Sequence, residues 1–582
     1  LPNLNNKFKT KLKTHKTMET KFLELTRAQE SRAAIEKLYI EMRHLFNRGF
    51  YKPSGISGRE VSKALLTLRP EIYGSINDPA KVELDGLVYV IDRLPKGIEE
   101  CRYIKLVSEE GYYSSEFDTI IPPKRKRNCY RIDKEQMFME ITRGRSEIYD
   151  ILTHLTFLFI ESDKIKRRAI DDKDRLTREW VKLGEIVEGE VALDESSKEV
   201  AFTYLSTILG RTFEETKYAY TRMEENSRSN NGLFHVVYWL GKTAIEEERK
   251  EKDREISFTS ALRERIGHHI YGEIWAWNIK RLLAEEELLD RPIHIISANL
   301  HSVLNSLFAY AALKDSFLGK KLDEIAAELS RPQNKTLMEE IEKYADVHGM
   351  YVLHDHTGTN ITAQIFDTEK IDVTQLHPDI QFDTDYLKAK KPVIFVMDYA
   401  FGEQAYEVMD ELLKPYHYEG QNRHLNVASI AIMGKAGILE GGKGDLMIPH
   451  AHVFEGTADN YPFENDCKKT DFEGHGLQVY EGAMITVLGT SLQNRDVLSY
   501  FKNSSWAAIG LEMEGAHYQK AIQAASQIRK NISKEVILRY AYYASDNPLI
   551  TGGTLASGSL GMTGVKPTYL ITIHFLNRIL KP

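Results

Sequence analysis

Two apolar runs in the last third of the chain each break off at an acid, and that pattern restricts what they can build. Ile509-Gly510-Leu511 runs into Glu512-Met513-Glu514, and the small residues Gly515 and Ala516 then open a helical stretch. About thirty residues on, the segment 535–544, rich in Val, Ile, Leu and Tyr, runs into Ser545-Asp546-Asn547-Pro548. Each reads as a buried strand whose carboxyl end carries the acid. In open α/β sheets the crevice beyond such strand ends holds ligands, so both acidic clusters are predicted to face one crevice.

A third segment fits the same arrangement. Val427-Ala428-Ser429-Ile430-Ala431-Ile432-Met433 is an apolar run ending in Gly434-Lys435-Ala436-Gly437, and Gly441-Gly442-Lys443-Gly444-Asp445 follows. Glycine at a strand end lets backbone and ligand approach closely.

These residue types suit the breaking of a sugar–base bond. Such a reaction passes through an oxocarbenium-like sugar, and the departing purine needs a proton, which Asp546 is placed to supply. A free Asp titrates near ~3.9, so this acid must be raised by burial or a neighbouring charge. Glu514 suits the sugar, as an ionised acceptor for two ribose hydroxyls, with Met513 packed on the sugar face. Each segment alone also has a purely structural reading. Glu512 and Glu514 could be acids at a helix start, Asp546 an Asx turn before Asn547-Pro548, Gly434 and Gly437 a simple turn, and Lys435 an exposed lysine. Their order and spacing together favour the site.

In that order and spacing, the three segments resemble the nucleoside phosphorylase and nucleosidase superfamily. The resemblance covers about the last third of the chain. It implies an α/β C-terminal domain with a mixed central sheet flanked by helices, and a homo-oligomer. It makes Asp546 of the Ser545-Asp546 pair the general acid, Glu514 the ribose ligand with Glu512 and Met513 beside it, and Gly434 the close approach to phosphate or ribose. His450-Ala451-His452-Val453-Phe454 is similar in style to the AMP nucleosidase branch, which cleaves AMP to adenine and ribose 5-phosphate. Where the phosphorylases place a small hydroxyl residue after the strand-end glycine, this chain has Lys435, which could grip a 5′-phosphate as a point charge. No equivalent of the phosphorylases' arginine pair stands out, although Arg423, Arg495 and Arg539 are candidates. Hydrolysis is therefore expected over phosphorolysis. For water activation, 391–397 followed by Tyr399-Ala400-Phe401-Gly402-Glu403-Gln404 resembles the first strand and acidic loop of the nucleosidases, and makes Glu403 the expected base, with Gln404 and Asp398 as neighbouring registers.

Composition sets limits on this reading. With 77 basic and 85 acidic residues the formal net charge is −8, which argues against a general nucleic-acid binder. Three widely spaced cysteines, Cys101, Cys129 and Cys467, form no metal or disulfide pattern, so a reducing, cytoplasmic setting is expected. No apolar run reaches the ~18 residues of a membrane helix, and 152–160 reads as a core segment. The chemistry requires no cofactor, and no metal site is expected. His354-Asp355-His356 lacks a third ligand, and adjacent strand residues face opposite ways.

The predicted organisation is a basic disordered tail at 1–17, a mainly α-helical region at 18–375, a connection at 376–391 and the catalytic domain at 392–582. Residues 19–46 carry apolar positions at helical spacing, ending near Asn47-Arg48-Gly49, while 87–91 and 103–107 read as strands. Ile293 to Ser297 reads as a strand before a helix, with Ser297 and Asn299 as caps or as a second small-molecule site. The expected function is hydrolysis of a purine nucleotide, AMP foremost, in purine salvage. The alternatives are a nucleoside phosphorylase or methylthioadenosine-type nucleosidase, and a nucleotide sensor without turnover.

Overall fold

The structure, a computed structural model, describes residues 25–189, 195–418, 420–457, 459–550 and 560–582. The expected tail at 1–17 lies outside them.

Helix formation at the start follows the sequence pattern. The Arg27–Arg48 helix opens with a Thr26–Gln29 capping box and ends where Gly49 takes a left-handed conformation, φ 94°. That φ carries little penalty only in glycine. The apolar face of this helix, Ile35, Leu38, Met42 and Leu45, is buried.

The N-terminal region also contains a sheet of six short strands, a departure from the mainly helical expectation. They are β1 (Phe50–Tyr51), β2 (Tyr103–Val107), β3 (Thr119–Ile120), β4 (Cys129–Arg131), β5 (Gln136–Glu140) and β6 (Glu255–Phe258), in the order β1-β6-β2-β5-β4-β3. Residues 87–91, expected as a strand, lie instead in the helix Leu84–Ile91, where Glu83 accepts a hydrogen bond from the Gly86 amide. Seven of its eight residues are buried, so burial on every side erased the helical periodicity. The segment 152–160 lies inside the long buried helix Gly144–Ala169. No described helix is long and apolar enough to cross a membrane.

A mixed sheet of ten strands forms the second body. Its strands are β7 (Ile293–Ser297), β8 (Met350–Leu353), β9 (Ala363–Asp367), β10 (Val393–Met397), β13 (Val427–Ile438), β14 (Leu446–Phe454), β15 (Asn460–Pro462), β16 (Val479–Thr486), β17 (Ala508–Glu512) and β18 (Ile537–Asp546). A small hairpin, β11 (Tyr416–Tyr418) and β12 (Gln421–Arg423), stands apart. β7 pairs in parallel with both β10 and β13, and β9 pairs antiparallel with β10 and β8. The sheet therefore begins near residue 293, and the connection expected at 376–391 falls within its span. The expected boundary is too late because a run of helices separates β7 from β8 and β9 and looks like a continuation of the helical region.

The centre of the sheet is β13. Its residues Ser429 to Ala436 pair in parallel with β18; after a shift in register at Ala436/Gly437, Gly437 and Ile438 pair antiparallel with β17. Close approach at this crossing requires glycine, since a Cβ on Gly510 would meet Met447 Sδ at 2.4 Å and the Gly437 carbonyl at 2.7 Å.

The two bodies share one apolar core. Ile35, Leu38 and Met42 of the first helix belong to the same buried cluster as Val497, Leu498 and Phe501 of the helix Arg495–Asn503, and as Ile485 and Leu511 of the large sheet. Arg32 lies 5.1 Å from the Phe501 ring centre. Phe501→Ala is expected to cost about 3–5 kcal/mol and to leave the near-UV and far-UV urea transitions coincident. A loss below about 1 kcal/mol, or two separated transitions in the native chain, would show that the bodies are not joined through this core.

Candidate active site

β17 is buried along its whole length and ends at Glu512. Beyond it, the Glu512 carboxylate accepts from the Thr486 hydroxyl and from the Glu514 and Gly515 amides. These amides open the helix Gly515–Gln523, so Glu512 satisfies donors that a helix start leaves unpaired. Its oxygens are saturated from within the protein, and burial pushes its pKa up to about 7.

Glu514, two residues on, is placed differently. One oxygen accepts from the Gly402 amide at 2.8 Å, and among the described residues the other accepts no side-chain donor. Burial, then the neighbouring Glu512, raises its pKa to about 8. The Gly402 turn has φ 57°, and a Cβ there would meet Ser146 Oγ at 2.4 Å. Ser146 belongs to the N-terminal helix Gly144–Ala169 and accepts from the Glu403 amide at 2.8 Å. The N-terminal region thus holds the loop that holds Glu514.

β18 ends at Asp546, which is 1% exposed. Ser545 Oγ lies 2.5 Å from Asp546 Oδ1 and 3.0 Å from the Ala436 carbonyl, while Asp546 Oδ2 has no hydrogen-bond partner. Burial raises its pKa to about 6, against the Ser545 hydrogen bond and the charges of Lys435 and Lys443. Asn547 ties the next turn by donating to the Gly441 carbonyl at 3.0 Å.

A cavity of about 1250 Å³ lies at these strand ends. Among the expected residues, Gly434, Lys435, Glu512, Met513 and Glu514 line it. Asp546 and Ser545 are not among the lining residues, but Gly437, the β13 partner of Asp546, and Pro548 are. Ser297 lines the cavity and lies 3.1 Å from the Tyr518 hydroxyl, while Asn299 caps the following helix.

Glu403 is not brought to the cavity. It sits at the N-cap of the helix Gln404–Leu412, with Oε1 3.2 Å from Arg145 Nη1 and Oε2 buried without a partner. Nearby, the Gln404 side chain accepts from the Phe401 amide and donates to the Thr359 carbonyl, and Asp398 accepts from the Tyr399 amide. Of the three candidate arginines, Arg495 lines the cavity and donates to the Leu549 carbonyl. Arg423 pairs with Asp290 and Arg539 with Asp466. Asp355 of His354-Asp355-His356 accepts from the amides of Thr357, Gly358 and Asn360, which makes it the organiser of a loop.

No local pattern marks the N-terminal residues that wall the cavity. Tyr89 and Arg93 come from the end of the Leu84–Ile91 helix, and Lys124 and Arg125 follow Pro122-Pro123. Phe401 and Tyr399 also line it. The four N-terminal residues meet the strand ends only through contacts some 300 positions away in the chain, beyond the reach of any local pattern.

No match to the sequence was found among the curated proteins compared with it. Solved structures that align with about half of the chain include the 5′-methylthioadenosine/S-adenosyl homocysteine nucleosidase of Campylobacter jejuni, with 12% identity, a TM-score of 0.28, and 50% of this chain and 98% of that one covered. Futalosine hydrolase of Helicobacter pylori gives 11% identity, a TM-score of 0.29, and coverage of 50% and 99%. Purine nucleoside phosphorylase of Toxoplasma gondii gives 12% identity, a TM-score of 0.27, and coverage of 50% and 92%. A family model matches residues 60–581, spanning both bodies, and the chain belongs to that family, DUF6909, described as a family of unknown function.

Proposed function

We propose that the chain hydrolyses the N-glycosidic bond of a purine nucleotide or nucleoside, with AMP the foremost substrate. The observation that carries this reading is the division of labour among three acids at one set of strand ends. Glu512 is saturated by the protein's own donors. Glu514 faces the cavity with an oxygen to spare for ribose hydroxyls. Asp546 is buried, with one oxygen unpartnered and a pKa raised to about 6.

Such an Asp546 holds its proton far more readily than a solvated aspartate, so it can neutralise the purine as the bond to the sugar breaks. Ionised Glu514 holds the two ribose hydroxyls and favours the positive charge that develops on the sugar. Met513, half-buried on the lining, offers an apolar surface to the sugar face. Glu403, paired with Arg145 and outside the lining, would have to leave that pair before it could activate water. Hydrolysis is preferred to phosphorolysis because Lys435 occupies the position after the strand-end glycine.

The test is release of free base from AMP, adenosine, methylthioadenosine and inosine, with and without inorganic phosphate. Asp546→Asn is expected to lower turnover roughly 10²–10⁴-fold; near-normal turnover would reject the acid role. An acid must be protonated to act, and its pKa is about 6. Glu514, raised to about 8, must be ionised, so kcat/KM should be level between about pH 6 and 8 and fall by about tenfold per unit above about 8, whereas a value still rising past pH 8 would contradict the assignment.

A further inference from the structure

The cavity extends past the Glu514 loop onto a wall that belongs to the N-terminal region. Ligand pockets typically hold ~300–1,000 Å³, and this one, at about 1250 Å³, has room beyond a nucleoside. On that wall the Arg93 guanidinium lies 3.4 Å from the centre of the Tyr89 ring, and its Nη1 donates to the Tyr89 carbonyl at 2.8 Å. Its Nε is buried without a hydrogen-bond partner, and no carboxylate among the described residues forms an ion pair with it. Burial, together with the charge of neighbouring Arg125, holds the guanidinium below its ordinary pKa. Asp150 and Asp92 act on its charge without hydrogen-bonding it, so this half-buried guanidinium keeps an unused buried donor.

The surrounding charges are already committed. Arg125 is held by both oxygens of Asp150, at 2.8 and 2.9 Å, and lies 5.7 Å from the ring centre of Phe401, the residue before the glycine that holds Glu514. Arg222 pairs with Asp85 at 2.8 Å. Asp92 takes the Asn226 amide at 3.3 and 3.4 Å. Lys124, whose backbone amide donates to the Asp92 carbonyl, is exposed, and its ammonium forms no hydrogen bond or ion pair among the described residues. Arg93 and Lys124, whose charges act on Asp92 without forming an ion pair with it, are thus the cations of the wall with donors left for a ligand. Lys435, by contrast, acts on Asp546 and so belongs to the acid's end of the cavity.

We propose that this wall is a phosphate subsite in which Arg93, with Lys124 beside it, receives the phosphate monoester of a nucleotide whose sugar is held by Glu514. This rests on the N-glycosidase reading above. The guanidinium offers a planar fork of donors that fits phosphate oxygens, and Lys124 adds a second positive charge. The N-terminal region then sets the preference for nucleotide over nucleoside within a single chain, and Lys435 is released from the phosphate role.

The experiment compares AMP, adenosine and inorganic phosphate on the full chain, by base release and, in the Asp546→Asn background, by calorimetric binding. AMP should be favoured over adenosine, and Arg93→Gln should reduce the AMP-to-adenosine ratio roughly 10- to 100-fold. Lys124→Ala, at an exposed position, should reduce it in the same direction without disturbing the fold. Equal losses for AMP and adenosine, or a ratio unchanged in both variants, would overturn the subsite while the glycosidase reading stands. Adenosine cleavage that requires inorganic phosphate, with Arg93→Gln raising the KM for phosphate, would overturn the nucleotide source in favour of the free anion. No base release and no binding of any of the three would remove both readings.

Discussion

The double pairing of β13 at Gly437 is the constraint on which the candidate site depends. The strand runs parallel to β18 and, past a register shift at Ala436/Gly437, Gly437 still pairs with Asp546 while also meeting Leu511 of the antiparallel β17. This one irregularity brings Glu512 to Glu514 and Asp546 to a common edge, although they lie on strands separated by a helix. It is possible because Gly437 and Gly510 have no Cβ: one on Gly437 would meet Leu511 at 2.8 Å, and one on Gly510 would meet Met447 at 2.4 Å. Side chains at either position would separate the strands, and with them the acids.

A second dependence runs from the N-terminal region to the same acids. Ser146 and Arg145 grip the backbone and carboxylate of Glu403, and the turn at Gly402 so fixed donates to Glu514. Arg143 and Arg125 both lie over the Phe401 ring, at 5.0 and 5.7 Å. Together with the shared apolar core, these contacts make the first body part of the site. A carboxylate held by a loop is only as well placed as whatever holds the loop, and here that is the start of the Gly144–Ala169 helix.

Much of the large sheet could be read from the sequence because its strands are apolar runs that stop abruptly at polar residues. That local contrast marks Glu512, Glu514, Gly434 and Lys435, and the structure sets them at one cavity. Other features had no local signal. The segment 87–91 is buried on nearly every side, so its apolar run reads equally as strand or helix. Residues 293–297 read as a strand, but the helices between β7 and β8 make that strand look like part of the helical region and disguise the start of the sheet. The resemblance of 391–404 to a nucleosidase strand and acidic loop makes Glu403 the expected base, but its carboxylate turns to Arg145, 258 positions earlier. Arg93 and Lys124 carry no motif; their interest comes only from what the folded chain leaves unpaired around them.

The central claim is an orientation: purine toward Asp546, sugar on Glu514, and the remainder toward the N-terminal wall. A crystal structure of the Asp546→Asn chain with AMP tests it most directly. The account predicts the purine within about 3 Å of the substituted side chain, a hydrogen-bonding distance, with both ribose hydroxyls on Glu514. AMP bound away from these strand ends, or in the cavity with its ribose hydroxyls turned from Glu514, would contradict it.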